Sequence, residues 1–294
     1  MIDLVEHLIG TLSGRAAPLL AATLLTAGCA SIPPAPSSSI SSISSTSPAV
    51  LISPAVRAAL APTGTLRAAI NFGNPILAVR NPSSAAPQGV SVDLARELGR
   101  RLGVPVELVT YPAAGKVFDG LRANEWDVAF IAIDPVRAAE AEFTAPYVVI
   151  EGAYLTAADS PIRRNEDVDR PGVRVVVGRD SAYDLYLKRE LKQAVLVRAP
   201  SSPAVTDMMV AQRIEVAAGV KQQLQADAKR LPGLRLIDGR FMVINQAMAV
   251  PKTRAAGVGY LSDFVETMKA SGFIADALAR HGIDGAAVAP PSSR

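Results

Sequence analysis

SVDLARELGRRLGVPVELVT, residues 91–110, is the stretch on which the fold turns. Leu94, Leu98 and Leu102 recur every four residues, which lays an apolar stripe along one face of a helix spanning 91–103, and Gly103 supplies a residue suited to ending it. VPVELVT (104–110) then reads as a strand, and LRAAINF (66–72) as a strand before the helix. Strand, helix and strand in this order build a βαβ unit. Downstream, KVFDGLRANE (116–125) reads as a short helix with Val117, Phe118 and Leu121 on one side. DVAFIAI (127–133) is nearly all apolar, as expected of a strand covered on both faces. PVRAAEA (135–141) reads as a further helix with Pro135 at its first position, where a missing N–H does no harm.

The same rhythm restarts later. GVRVVVG (172–178), AVLVRA (194–199) and IEVAAGV (214–220) read as strands, alternating with helices SAYDLYLKREL (181–191), SPAVTDMMVAQ (202–212) and KQQLQADAKR (221–230). Two such halves imply two α/β lobes, each around a mainly parallel sheet flanked by helices. Two long apolar strands, YVVIEGAYLTA (147–157) and FMVINQAMAV (241–250), are suited to cross between the lobes. A helix over 254–271, with Val258, Leu261, Val265 and Met268 on one stripe, would then return to the first lobe. The expected division is 63–150 with 248–285 for the first lobe, 151–247 for the second, and a tail over 286–294.

Composition narrows the function. The chain has 294 residues, 49% hydrophobic and 19% charged, which is a globular balance. Thirty basic and 27 acidic residues leave a net charge of +3 with no long Lys or Arg run, which argues against a nucleic-acid partner. Cys29 is the sole cysteine, so neither an intrachain disulfide nor a thiolate zinc cluster can form. Histidine occurs at His7 and His281, so a metal centre or Ser-His-Asp site would have to rest on His281 alone. No P-loop or dinucleotide fingerprint occurs, and no cofactor or metal is expected.

The N-terminus reads as an address. Residues 16–28 (AAPLLAATLLTAG) are apolar but too short to span a bilayer, and have the length of the apolar core of a signal peptide. LLTAGCAS resembles the lipobox of bacterial lipoproteins, with Thr26 where Leu, Val or Ile is usual. That resemblance implies a signal peptide over 1–28, lipidation of Cys29 and a lipid-anchored protein of the periplasm or cell envelope. Residues 30–54 are Ser- and Pro-rich without charge, a composition that cannot bury enough apolar surface to offset ordering entropy, so 29–62 is expected to be a tether.

Four segments in order resemble the polar amino-acid-binding proteins of ABC transporters, the extracellular solute-binding protein family 3. They are GTLRAAINFGNP (64–75), GVSVDLARELGRRLGVPVE (89–107), LRANEWDVAFIAIDPVRAAEAEFTAPY (121–147) and QAMAVPK (246–252). The resemblance implies a two-lobed, type II periplasmic-binding-protein-like fold, a ligand cleft between the lobes, and delivery of a small polar or zwitterionic solute to an ABC permease by a monomeric, non-catalytic receptor. Arg137 matches the arginine that grips the ligand's carboxylate, a task suited to a guanidinium fork. Asn71, Phe72 and Asn74 match the turn after the first strand; the bland alternatives are turn shaping for the asparagines and core packing for Phe72. Asp134 stands where the family has threonine, as an anchor for a ligand ammonium or as a helix N-cap before Pro135. Ser181, Ala182 and Tyr183 open a helix whose free N–H groups suit an anion, while Ser181 and Asp184 also fit a capping box. Gly219 and Val220 stand where the family usually has an aspartate for the ligand's ammonium. Trp126 and Tyr147 read as packing residues. Two alternatives remain: a cyclohexadienyl (arogenate) dehydratase-like enzyme using Glu151 or Asp134 as acid, and a tethered ligand sensor.

Overall fold

In a computed structural model, residues 52–292 are described. The proposed signal peptide, Cys29 and most of the tether lie outside them. The first described element is one the sequence reading assigned to the tether. Helix α1 (Pro54–Leu60) starts at Ser53, whose Oγ accepts from Val56 N at 3.2 Å, and has Pro at its first turn. Leu60 is fully buried, packed where Gly257 has no Cβ to obstruct it. Part of the range expected to be tether is thus helical, docked through Leu60 behind a capped first turn. Leu60→Ala is expected to lower unfolding free energy by about 2–4 kcal/mol, measured by urea denaturation.

The first parallel block follows: β1 (Leu66–Asn71), the small hairpin β2 (Val79–Arg80) and β3 (Pro87–Gln88), α2 (Val90–Leu102), β4 (Val106–Tyr111), α3 (Ala114–Arg122) and β5 (Val128–Ala132). β1 pairs in parallel with β4 on one side and β5 on the other. Leu94, Leu98 and Leu102 of α2 are all fully buried, and Gly103 ends the helix in the left-handed region at φ 66°. All five residues of β5 are buried, as the apolar run required.

The helix read over 135–141 is shorter than expected. α4 (Pro135–Ala138) makes one turn, and Ala141 already belongs to β6 (Ala141–Phe143), which pairs with a later strand. Alanine-rich sequence favours helix locally, but the strand ladder on Ala249–Pro251 wins over propensity here. β7 (Val148–Ala157) then leaves for the second block: β8 (Arg174–Gly178), α5 (Ala182–Glu190), β9 (Val195–Ala199), α6 (Val205–Ala211), β10 (Val216–Val220), α7 (Lys221–Arg230) and β11 (Leu234–Leu236). β8 pairs in parallel with β9 and β10. β12 (Met242–Pro251) returns, followed by α8 (Val258–Ala270), α9 (Phe273–Arg280) and β13 (Ala287–Val288). The helix read over 254–271 is thus α8 preceded by a 3-10 segment at Lys252–Gly257, and the expected tail over 286–294 begins instead with a strand laid on β7.

The two mainly parallel sheets, expected to be joined by two crossing strands, are the two ends of one backbone ladder. The order β4-β1-β5-β12-β7-β10-β8-β9 is continuous, parallel at both ends and antiparallel through its centre. The two crossing strands, β7 and β12, pair with each other, Met242 opposite Gly152 and Gln246 opposite Val148. They thereby splice one parallel block to the other. The C-terminal ends of β1, β5, β8 and β10 converge on the groove between the blocks, the place where open α/β sheets hold ligands.

Candidate functional site

Arg137 stands at the centre of that groove. Asp134 caps α4, its Oδ1 accepting from Val136 N at 2.8 Å, and the single turn that follows brings Arg137 back over the end of β5. Nη1 donates to the Ala132 carbonyl at 3.0 Å, and Nη2 donates across the groove to the Asp180 carbonyl, also at 3.0 Å. The guanidinium lies 5.7 Å from the Phe118 ring centroid and the residue is only 4% exposed. Burial pulls its pKa down from 12.5 to about 10, so it stays a cation at neutral pH. Among the described residues no carboxylate lies within ion-pair distance of it, and two carbonyls leave further N–H groups uncommitted.

The facing wall is the turn from β8 into α5. Asp180 has φ 55°, a left-handed conformation that aspartate tolerates better than most side chains, and this turns its carbonyl toward Arg137. The turn fits closely: a Cβ on Gly115 of α3 would lie 2.8 Å from Asp180 Cβ. Ser181 caps α5, Oγ accepting from Asp184 N at 3.2 Å. The capping box is not closed as expected, because Asp184 Oδ2 accepts from Asp180 N, one residue before the cap. Asp184 also takes the Arg198 Nε with both oxygens, at 3.0 and 2.9 Å, so its charge is compensated rather than turned on the groove.

The groove is narrow, with room of about 30 Å³ inside it, and it is continuous with solvent. Of the residues singled out in the sequence, Asn71, Asn74, Arg137, Ser181, Ala182 and Tyr183 line it together. Asn71 and Asn74 also shape the turn, accepting from Gly73 N at 2.9 Å and Ile76 N at 3.3 Å. Phe72 does not line it: its ring packs on the main core under the Arg80 guanidinium, 4.6 Å from the centroid. Asp134 does not line it either; besides capping α4 it holds Arg189 across the blocks at 2.9 Å, which is why it is not available to a ligand ammonium. Trp126 and Tyr147 are packing residues, Trp126 Nε1 donating to the Val117 carbonyl at 2.7 Å and the Tyr147 hydroxyl meeting Ser91 Oγ at 3.3 Å.

Sequence reading missed Ser202, Gln246, Ile131 and Ile244, which also line the groove. The signal for Gln246 was the polar pair Asn245–Gln246 in an otherwise apolar stretch of strand; the others carried none. Val220, noted for the absence of an aspartate, stands on the wall opposite Gly152 of β7. Gly152 in turn makes room for an aromatic cluster, since a Cβ there would lie 2.8 Å from Tyr183 Cε1. Tyr183 meets Phe241 edge-on at 5.9 Å and Phe241 stacks on Tyr154 at 4.3 Å. The Tyr183 hydroxyl is buried without a partner among the described residues, and burial pushes its pKa up.

This groove at the ends of two parallel blocks, spliced by crossing strands, matches a known family. A sequence profile of the bacterial extracellular solute-binding proteins, family 3, covers residues 66–282. The chain belongs to this family. It has the two-lobed, type II periplasmic-binding-protein-like fold and is a solute-binding protein. Among curated proteins, none matches by sequence. Solved structures do. The solute receptor for L-cysteine of Neisseria gonorrhoeae is 21% identical, with 78% of this chain and 94% of that one covered at a TM-score of 0.67. The amino acid ABC transporter substrate-binding protein AbpA of Streptococcus pneumoniae, bound to L-arginine, is 17% identical, with 76% and 96% covered at 0.65. The ancestral amino acid-binding protein AncCDT-1, a precursor of cyclohexadienyl dehydratase, is 21% identical, with 74% and 95% covered at 0.63. Identities this low speak for the fold; the ligand of this family member is set by its own residues.

Proposed function

We propose that the chain is the receptor of an ABC-type uptake system, taking a small carboxylate-bearing solute into the groove and presenting it to a permease. The observation that carries this reading is Arg137, a buried cation with uncommitted N–H groups at the mouth between the lobes. A ligand carboxylate would give the buried guanidinium a directly contacting anion, where Asp134 and Asp180 act on it only from a distance. Asn71, Asn74, Ser181, Ala182 and Tyr183 would complete the contacts, with the free N–H groups of the first turn of α5 facing the same anion.

Closure follows from the same geometry. The Arg137–Asp180 and Asp134–Arg189 hydrogen bonds both span the groove, so they belong to a closed arrangement that the permease would recognise. Opening about β7 and β12 would release both. The first lobe in this reading comprises 63–150 and 248–285, the second 151–247. The same reading places the protein in the periplasm as a monomer, lipid-anchored through Cys29 after removal of residues 1–28.

The dehydratase alternative finds little support in the carboxylates. Glu151 is held ionised by Lys221 at 2.8 Å and Arg240 at 2.7 Å, which lowers its pKa, and it does not line the groove. Asp134 is committed to Arg189 and to its cap. Neither is placed to hold a proton for a leaving hydroxyl.

The test is a thermal-unfolding panel of amino acids, amines and small carboxylates on the purified full-length chain. A true ligand at about 100 times its Kd should add roughly 2.7 kcal/mol of stability. Stabilisation by amines alone, with no carboxylate acting, would remove Arg137 from the role assigned to it.

A further inference from the structure

Among the described residues that line the groove, Arg137 is charged and none is acidic. The carboxylates nearby are committed elsewhere: Asp134 to Arg189, Asp184 to Arg198, Glu151 to Lys221 and Arg240. Asp180 offers the groove its carbonyl, which Arg137 already holds, while its exposed carboxylate lies on the far side of Arg137, beside Gly115. The rest of the lining is apolar, as at Ile131, Val220 and Ile244, or neutral and polar, as at Asn74, Ser202 and Gln246. Tyr183 also lines the groove, its ring packed in the aromatic cluster with Phe241 and its hydroxyl buried without a partner among the described residues.

An α-amino acid would bring two charges to this wall. Its carboxylate would find Arg137. Its ammonium would be buried against neutral groups and the apolar side chain of Val220, with no anion to offset the loss of water, which is among the most unfavourable arrangements in protein chemistry. A neutral hydroxyl or carbonyl oxygen on the same carbon has no such penalty, and amides and hydroxyls of the lining match it as donors or acceptors.

We propose that the groove selects small 2-hydroxy or 2-oxo monocarboxylates over the corresponding α-amino acids. The proposal rests on the receptor reading above, and narrows its ligand from carboxylates in general to those without an ammonium. Arg137 binds the carboxylate, and the neutral polar lining of Asn71, Asn74, Ser202 and Gln246 meets the oxygen on the neighbouring carbon. The modest volume of the groove favours short carbon chains.

Matched sets decide it. Calorimetric titration of the full-length chain would compare L-alanine with L-lactate and pyruvate, and L-valine with 2-hydroxyisovalerate and 2-oxoisovalerate. The expected result is a Kd at least tenfold lower for an oxygen-bearing member of a set than for its amino acid. An amino acid that binds as tightly as its partners, or tighter, overturns the proposal and leaves the receptor reading standing. So does binding of L-arginine, L-lysine or L-cysteine with none of the oxygen-bearing acids. If no carboxylate of either kind binds, both fall together. A second arm uses Val220→Asp, which puts an anion on the wall where the ammonium would lie. It should shift preference toward the amino acid at least tenfold; retained preference for the oxygen-bearing acid in a folded variant would count against the charge argument. Should that variant fail to fold by circular dichroism, the wild-type sets still discriminate between the two classes of ligand.

Discussion

Arg137→Ala is expected to weaken ligand binding by at least about 2 kcal/mol, roughly thirtyfold in Kd, and Arg137→Lys by nearly as much. Among the described residues that line the groove the guanidinium is the one charge, and it is almost completely buried, so a carboxylate meeting it would be desolvated and strongly held. Lysine keeps the charge but loses the fork, and it cannot hold the Ala132 and Asp180 carbonyls while also presenting two donors to a ligand. The alanine variant should still fold. The freed Ala132 carbonyl borders the groove and the Asp180 carbonyl an adjoining hollow, so water entering the space left by the side chain can replace the lost donors. Titration calorimetry with whichever carboxylate stabilises the wild type, beside a circular-dichroism melt of each variant, measures both effects. Unchanged affinity in a folded alanine variant would move the carboxylate site away from Arg137.

Asp127→Ala is expected to do the reverse: large loss of stability, little change in affinity. Asp127 is fully buried at the start of β5, at the end of the sheet away from the groove. It accepts from the backbone N of Arg67 at 2.9 Å and from the same guanidinium at 3.1 and 2.7 Å, and it also pairs with Arg254. One carboxylate thus ties β1 to the start of β5 and to the 3-10 segment that leads into α8. Removing it leaves two guanidinium groups facing each other with little solvent, a loss on the order of 3–5 kcal/mol. In a protein of this size that corresponds to a fall in Tm of about 10 °C. Calorimetric melting gives the first number and ligand titration below the melting range the second. A variant that melts like the wild type would mean that the buried pair contributes nothing net, as some buried pairs do.

These two variants separate what local sequence reports from what distant contacts decide. Arg137 was legible as a groove residue because it follows a wholly apolar strand by a few positions and because its neighbours resemble a family motif. Both are properties of a short stretch of chain. Asp127 gave no sign of its weight, because Arg254 lies far along the sequence and nothing local announces the pairing. Asp134 shows both sides at once. Its N-cap role was readable from Asp-Pro, whereas its bond to Arg189 needed the folded chain to bring α5 across the groove. For Phe72, sequence places a residue at a strand end but does not say which way its ring turns or that Arg80 covers it.

By itself the sequence determined the succession of strands and helices, the two α/β halves, the two crossing strands and the central arginine. Those follow from hydrophobic periodicity, from fully apolar strands and from turn residues, each of which acts over fewer than about 20 residues. The tertiary structure alone decided that the two sheets merge into one ladder through β7 and β12, that Pro54–Leu60 docks as a helix, that Ala141–Phe143 pairs as a strand, and that Ala287–Val288 adds another. It also decided that Asp134, Asp184 and Glu151 are each turned to some other cation while Val220 faces inward. The reason is physical: short segments take their conformation, and charged side chains their partners, from surfaces that exist only once the rest of the chain has packed.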